Sequence, residues 1–234
     1  MMKRIAIIGG TALFGAEIFK GAGRKEIKTP YGSAFLLIKD DLIFLPRHGK
    51  DKNIPAHKVN HQANLAALKD LAVKQIIGIN STGSLKVEIP PGSILIPDDY
   101  INFGPIGTFY DHKIVHITPS LDEDLRRAII LSASKLKLEI IDNGVYIQRP
   151  GPRLETRAEI RMLSSFGDLV GMTMASEATA AKELGLSYAS ICSVDNYGHG
   201  LIEEPLENEQ IVGAAKRNQE IIISLTKEVT RELR

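Results

Sequence analysis

The stretch GMTMASEATAAKELGLSYASICSVDNYGHG, residues Gly171 to Gly200, carries the pattern that decides the fold. It predicts a strand end, a polar turn, a short helix, a buried strand and a second polar loop, in that order. The first loop, Gly171–Ser176, offers hydroxyl and backbone N–H groups where a helix begins, which favours anion binding. The second, Asp195–Gly200, offers amide, carboxylate and imidazole groups. Both loops should open at the same edge of an α/β sheet, where such sheets usually bind ligands.

The size and composition of the chain favour a single domain over residues 1–234. With 234 residues and 44% hydrophobic residues, the chain can bury one large core, and no linker is evident. The expected fold class is α/β, with a mixed central β-sheet flanked by helices. The chain has 29 Lys and Arg residues against 28 Asp and Glu residues. This near-zero net charge gives no electrostatic sign of binding to nucleic acid or to an anionic membrane. Any anion must therefore be bound by a local site.

The cysteine usage and the N-terminal pattern favour a cytoplasmic protein. The single Cys192 lies in the apolar run Tyr188–Val194, excludes an intrachain disulfide and is expected to be a buried thiol. Ile5–Ile8 follows two basic residues as in a signal peptide, but Gly9-Gly10-Thr11 interrupts it, so we expect a first strand. No apolar run approaches the roughly 18 residues of a membrane helix, so no membrane partner is expected.

Three further strand ends carry small or basic residues. Gly9-Gly10-Thr11 allows close backbone approach but lacks both the dinucleotide fingerprint and the P-loop pattern. A hairpin of strands over 34–39 and 42–45 delivers Pro46-Arg47-His48-Gly49, in which the glycine lets both basic side chains turn toward one ligand. A buried strand over 75–79 leads into a loop, Asn80–Ser84. Several such ends at one sheet edge predict an anion site.

The remaining segments predict helices, a short strand and a long loop. Apolar spacing indicates helices over 60–73, 121–136 and 207–233, and Thr156 with Glu159 forms a capping box that starts another. Val115-His116-Ile117 is predicted as a short strand. Asn102–His112 is irregular, aromatic and longer than a simple connection, which is typical of a lid or a subunit contact.

The sequence lacks the patterns of metal-dependent and serine-hydrolase chemistry. No Cys/His cluster has zinc-ligand spacing, no Gly-x-Ser-x-Gly elbow occurs, and the acidic residues form no evident metal-binding array. We therefore expect no metal site.

Together these segments resemble the trimeric purine nucleoside phosphorylase family, and within it the methylthioadenosine and methylthioinosine phosphorylase branch. The motifs run in the family's order over most of the chain: Ile8-Gly9-Gly10-Thr11, Arg47-His48-Gly49, His57-Lys58-Val59-Asn60 with Gln62-Ala63-Asn64, Gly83-Ser84-Leu85, Pro91-Gly92, Gly151-Pro152-Arg153 and Gly171-Met172-Thr173. The resemblance implies phosphorolysis of a purine nucleoside to the free base and ribose 1-phosphate, with inorganic phosphate as co-substrate and no other cofactor. It also implies a single-domain subunit in a homotrimer or homohexamer.

The resemblance further implies a role for individual residues. The phosphate site is expected from Thr11, Arg47, His48, Thr173 and the backbone around Ser81, and the ribose floor from Met172. His116 sits where the branch places a histidine that reaches the neighbouring subunit's ribose 5′ pocket. Glu155 and Asn196 resemble the pair that reads the base.

Two positions depart from the family pattern. The aromatic platform before Glu155 is Leu154 here, which weakens the expected stacking on the ribose or base. The family's Pro-Glu is Ser176-Glu177, which we interpret as a change in how the following helix begins.

The chemistry of the reaction assigns roles to these groups. Cleavage develops positive charge on the ribose and negative charge on the purine, so an anion is needed under C1′ and a hydrogen-bond partner at N7. Arg47 and His48 would hold phosphate, the nucleophile, by charge-assisted bonds. Asn196 would accept from N7 as the base becomes protonated while its amide nitrogen donates to O6, and Glu155 would accept a hydrogen bond from the N1–H that only a 6-oxopurine carries.

These groups favour hypoxanthine or guanine as the base, with methylthioinosine, inosine or guanosine as substrate. Adenine-selective members of the branch carry aspartates at the positions of Asn196 and Gly198, and neither is present. Methylthioadenosine remains the alternative, with Asp195 as the reader if the loop shifts in register.

Two readings from other classes are weaker. A non-catalytic nucleoside sensor would not need the basic pair and the Gly/Thr loops. A dinucleotide-dependent reductase would rest on Gly9-Gly10 alone and would lack its acidic ribose partner.

Overall fold

The structure of the protein is a computed structural model that describes residues 4–10, 13, 16–203 and 208–234, with the backbone alone for residues 208–217. Its strands are β1 (Arg4–Gly9), β2 (Gly23–Thr29), β3 (Gly32–Lys39), β4 (Leu42–Pro46), β5 (Val73–Ser84), β6 (Ile94–Leu95), β7 (Asp99–Asn102), β8 (Val145–Gln148), β9 (Leu169–Gly171) and β10 (Ser187–Tyr197). Its α-helices are α1 (His61–Asp70), α2 (Glu123–Lys135), α3 (Arg157–Leu163), α4 (Met174–Glu183) and α5 (Asn208–Glu232).

The strands form one mixed sheet. Its main path runs β2-β3-β4-β1-β5-β9-β8-β7, while β10 pairs with β5 and β6. The centre is parallel, with β1 between β4 and β5 and with β10 along β5. The hairpin strands β2, β3 and β4 pair antiparallel. The predicted α/β fold with a mixed, helix-flanked sheet is thus confirmed.

Helices cover both faces of this sheet. Along β1 the side chains alternate: Ala6 and Ile8 join the core under α1 and α4, whereas Ile5 and Ile7 join the core under α2 and α5. All four are fully buried, and a buried aliphatic side chain contributes about 1.5–3 kcal/mol. The continuous apolar run is therefore explained by burial on both faces.

Most of the predicted helices are confirmed with shorter ends. Helix α1 lies within the predicted range 60–73, α2 within 121–136 and α5 within 207–233. The capping box is also present: the Thr156 hydroxyl accepts from the N–H of Glu159, and the Glu159 carboxylate accepts from the N–H of Thr156.

Two predicted loops are wrong, because β5 and β10 continue through them. Asn80–Ser84 belongs to β5, and the first part of Asp195–Gly200 belongs to β10 up to Tyr197. The two strands pair as far as Ser84 opposite Tyr197. Their polar side chains are satisfied inside the sheet, as when Thr82 Oγ1 donates to the carbonyl of Ser193 over 2.8 Å. The polar residues of these two segments therefore lie in paired strands and do not indicate loops.

The predicted strand Val115-His116-Ile117 is also wrong. These residues lie in an irregular segment, and among the described residues no strand pairs with them. The neighbouring Ile114 is 93% exposed. The expected irregular stretch after Asn102 is confirmed. Cys192 is a buried free thiol, as expected, and burial raises its pKa to about 12.

None of the helices in the described part of the chain combines the length and apolar character needed to cross a bilayer.

Candidate active site

A cavity of about 390 Å³ lies where the ends of β4, β5, β9 and β10 meet. Eight of the predicted site residues line it: Arg47, His48, Ser81, Leu154, Glu155, Met172, Thr173 and Asn196. Thr11 lies outside the described residues, although its neighbour Gly10 lines the cavity. The sheet topology therefore brings together side chains that are more than 100 residues apart.

Arg47 follows β4 and is 4% exposed. Its Nε and Nη2 donate to the two carboxylate oxygens of Glu177 on α4, the second over 3.0 Å, and its Nη1 donates to the carbonyl oxygen of Ile79 over 3.1 Å. Burial alone would lower the pKa of the guanidinium, but the Glu177 carboxylate outweighs burial and raises it. Arg47 thus lines the cavity as a charged guanidinium that is already paired with Glu177.

His48 lies beside Arg47 with its Nδ1 2.8 Å from the carbonyl oxygen of Ile54. Because only an N–H satisfies a carbonyl oxygen, Nδ1 carries the hydrogen and Nε2 is left for a ligand. Burial lowers the pKa of His48, so the ring is neutral at neutral pH. A charge-assisted bond from His48 therefore requires that a bound anion first favour the protonated ring.

Thr173 stands at the start of α4 and is tied to β5. Its Oγ1 accepts from Asn80 Nδ2 over 3.0 Å, which leaves its own O–H hydrogen to donate to a ligand. Asn80 is fixed in turn, because its Oδ1 accepts from the Ser190 hydroxyl over 2.8 Å. Sequence reasoning missed Asn80, whose small polar surroundings indicated only a loop.

The N–H groups at the start of α4 are less open than the sequence predicts. The N–H groups of Thr173 and Met174 point to the hydroxyl of buried Tyr146, at 3.2 and 3.4 Å. The N–H of Ser176 donates to Gln148 Oε1 over 3.0 Å, and Gln148 Nε2 donates to Ser176 Oγ. Three of the N–H groups at this helix end are therefore already paired, and the Thr173 hydroxyl is a further donor available to a ligand.

Ser81 and Asp195 form a pair across β5 and β10. The Ser81 hydroxyl donates to Asp195 Oδ2, while Asp195 Oδ1 is buried without a hydrogen-bond partner among the described groups. Burial raises the pKa of Asp195, and the nearby side chains of Ser193 and Asn218 partly oppose that rise. Asp195 lines the cavity one residue before Asn196.

Glu155 and Asn196 lie in the same cavity as the basic residues. Glu155 is 8% exposed, and burial raises the pKa of its carboxyl. Asn196 is only partly buried, and its Nδ2 donates to the carbonyl oxygen of Tyr197 over 2.8 Å. The two side chains present the amide and carboxyl groups that the sequence predicts for base reading.

Met172 and Leu154 supply the apolar lining. Met172 lies against Gly151, where a Cβ would stand 2.7 Å from the methionine Sδ. Gly151 also has φ +67, a conformation that glycine adopts without strain. Leu154 is 48% exposed, so the cavity lining is open to solvent at the position where weak stacking is expected.

His116 is exposed and does not line this cavity. Its contact with a neighbouring subunit therefore stays a prediction. A second cavity of about 480 Å³ shares Met172 and Ala56 with the first. His61 lines it, and its Nδ1 has no hydrogen-bond partner within the described part of the chain; burial lowers the pKa of His61 to about 4.

The described residues contain no group of three or more His, Cys, Asp or Glu side chains that could hold a metal ion.

Comparisons with known proteins show the family to which the chain belongs. The family model of the phosphorylase superfamily matches residues 4–231. A probable 6-oxopurine nucleoside phosphorylase from Archaeoglobus fulgidus is 44% identical over 98% of this chain and 96% of its own length. The S-methyl-5′-thioadenosine phosphorylase of Pyrococcus furiosus is 38% identical over 97% of this chain and 91% of its own length.

A solved structure shares the fold. Methylthioadenosine phosphorylase from Schistosoma mansoni, in complex with adenine, superposes with a TM-score of 0.89 at 26% identity, covering 98% of this chain and 91% of that one. The chain therefore belongs to the phosphorylase superfamily and is an enzyme of that family. The family resemblance predicted from the sequence motifs is confirmed.

Proposed function

We propose that the protein cleaves the N-glycosidic bond of a 6-oxopurine nucleoside with phosphate, giving the free base and ribose 1-phosphate. One observation carries the proposal: a single cavity holds Arg47 and Thr173 together with Glu155 and Asn196. The first two offer N–H and O–H donors to an oxyanion, and the last two match the edge of a purine. Methylthioinosine, inosine and guanosine are the candidate substrates.

The placement of phosphate-binding groups on one side and base-binding groups on the other fits the charges of the transition state. Phosphate beneath C1′ opposes the positive charge that develops on the ribose and supplies the nucleophile. The Asn196 amide N–H donates to O6, which stabilises the negative charge on the departing purine, and its amide oxygen accepts from N7 once that nitrogen has taken up a proton from solvent. Met172 provides the floor against which the ribose lies.

The choice of a 6-oxopurine follows from hydrogen-bond polarity. Asn196 offers one donor and one acceptor, which fits O6 and a protonated N7, and an ionised Glu155 accepts from N1–H. At Gly198, which also lines the cavity, no carboxylate is present to accept from a 6-amino group. A relative, the probable S-methyl-5′-thioinosine phosphorylase of Methanocaldococcus jannaschii, is 38% identical over 96% of this chain and 90% of its own length.

S-Methyl-5′-thioadenosine is the second candidate, because two observations favour it. Burial raises the pKa of Glu155, and a protonated carboxyl would donate to N1 of adenine. Asp195 also lines the cavity, and its Oδ1 has no hydrogen-bond partner among the described residues. Its Oδ2, however, already accepts from the Ser81 hydroxyl.

The test is a spectrophotometric assay of inosine, methylthioinosine and methylthioadenosine with and without phosphate. We expect base release only with phosphate, no loss of rate with a chelator, and the highest kcat/KM for a 6-oxopurine substrate. Equal rates in phosphate-free buffer would overturn the phosphorolysis. Loss of activity on chelation would overturn the metal-free mechanism, and a preference for methylthioadenosine would favour the second candidate.

We further infer a cytoplasmic homotrimer or homohexamer whose sites are completed across subunits. Support comes from the exposed His116 and the irregular segment around it, which has no strand partner in the described chain. Light scattering should give at least a trimer. A fully active monomer would contradict this inference.

A further inference from the structure

The Arg47–Glu177 ion pair limits what Arg47 can offer a ligand. Of the five N–H groups of a guanidinium, two donate to Glu177 and one to Ile79, which leaves two without a partner among the described residues. The side chains of Arg47 and Glu177 are 3% and 1% exposed, so water does not compete for these contacts. The direction of the two remaining N–H groups is therefore set by Glu177 and by Ile79 of β5.

Glu177 is itself held in place. The Tyr188 hydroxyl donates to Glu177 Oε2 over 2.7 Å from the neighbouring strand β10. Tyr188 reaches this position only because residue 78 is glycine, since a Cβ there would overlap the tyrosine hydroxyl. The chain from Gly78 through Tyr188 and Glu177 to Arg47 thus connects the sheet interior to the cavity.

We propose that Glu177, held by Tyr188, is the positioning residue that aims Arg47 at phosphate. This inference rests on the proposed function, in which Arg47 binds the phosphate co-substrate. Glu177 also cancels the charge of Arg47, so the arginine supplies directed donors and not a diffuse attraction for anions. A purely structural ion pair would stabilise the fold without affecting phosphate more than nucleoside.

The main test is Glu177→Gln. An amide placed here can accept from one guanidinium N–H but brings its own NH₂ against the other, so the two-point contact is lost. We expect KM for phosphate to rise roughly 10- to 150-fold, the equivalent of one charged hydrogen bond, with KM for the nucleoside unchanged within about twofold.

Thr179→Ala is the matched control. It removes the 2.8 Å hydrogen bond between Thr179 and Tyr100 from the same helix, without touching Arg47. We expect both KM values to stay within about twofold of wild type.

Tyr188→Phe gives a milder and independent variant. It removes one neutral donor from Glu177 and should raise KM for phosphate roughly 2- to 12-fold. This variant still decides the question if Glu177→Gln fails to fold.

Chemical rescue separates positioning from stability. In Arg47→Ala, added guanidinium should restore phosphate-dependent turnover, because Glu177 can seat the free ion in the vacated place. In the double variant Arg47→Ala/Glu177→Gln, the same guanidinium concentration should give no rescue.

Equal rescue of both variants, or equal changes in the two KM values, would overturn the positioning role while leaving the proposed function intact. Phosphate-independent turnover by the wild type would instead overturn the proposed function itself.

Discussion

The two ends of the cavity are built differently. At the proposed anion end, Arg47, Asn80 and Thr173 are buried, and each is tied by hydrogen bonds to another strand or helix. At the proposed base end, Leu154 is exposed, and among the described residues the Asn196 side chain hydrogen-bonds only to its sequence neighbour Tyr197. The proposed anion end is fixed by the core, whereas the proposed base end combines the buried Glu155 with Leu154 and Asn196 at the margin of the fold.

This difference separates what the fold determines from what single residues determine. Changes at the proposed anion end remove buried hydrogen bonds, so we expect them to affect stability and phosphate binding whichever nucleoside is the substrate. Changes at the base end can alter recognition alone. The relatives are all named as phosphorylases but for different purine nucleosides, which fits this division.

Arg47→Ala should have the largest effect. Turnover with phosphate should fall roughly 10- to 150-fold, from the loss of one charged hydrogen bond. Glu177 would lose its buried partner, which typically costs about 3–5 kcal/mol of stability. Steady-state kinetics and urea unfolding measure the two effects.

Arg153→Ala is the control for that variant. Arg153 is an exposed arginine paired with Glu159. Loss of its side chain should change neither the phosphate-dependent turnover nor the stability to urea appreciably. If Arg47→Ala kept wild-type phosphate dependence, the anion end would lie elsewhere.

Asn196→Asp should act on recognition without a comparable loss of stability. The aspartate presents only acceptors, so it repels O6, and kcat/KM for a 6-oxopurine should fall roughly 5- to 150-fold. For adenosine-type substrates, kcat/KM should fall less, or should rise. The measurement is the kcat/KM ratio of methylthioinosine to methylthioadenosine, and a ratio that does not move would remove Asn196 from base reading.

The pH dependence of Glu155 should give the smallest effect. Its carboxylate form accepts from N1–H, so kcat/KM for a 6-oxopurine should decline as pH falls through its raised pKa, beginning above the range of an ordinary glutamate. The decline should be about fivefold, the difference between a charged and a neutral hydrogen bond.

The ratio of a 6-oxopurine to a 6-aminopurine substrate at each pH cancels the titration of phosphate itself. In Glu155→Gln this ratio should be independent of pH. A wild-type ratio that is equally flat would show that Glu155 does not contact N1.

The sequence was sufficient to predict the elements with strong local signals. The apolar run of β1 and the capping box before α3 depend on residues within a few positions of one another, and both are confirmed. The convergence of Arg47, Thr173 and Asn196 was also predictable, because each follows or ends a strand of one sheet.

The parts that were missed depend on distant partners. Glu177 pairs with Arg47 across 130 positions of sequence, and its own neighbours show no sign of this contact. Asn80–Ser84 has the composition of a loop, and its polar groups find their partners on β10 and α4. Local composition reports the polarity of such residues but not which groups satisfy them.

The bulge in β10 has an evolutionary consequence. Val194 lies opposite Thr82 and Asn196 opposite Gly83, so Asp195 is one residue more than the pairing with β5 requires. Deletion of Asn196 would remove the irregularity and place Asp195 opposite Gly83. A single three-nucleotide loss could thus exchange an amide for a carboxylate at the base end, which offers a descendant of this protein a short route to a different purine.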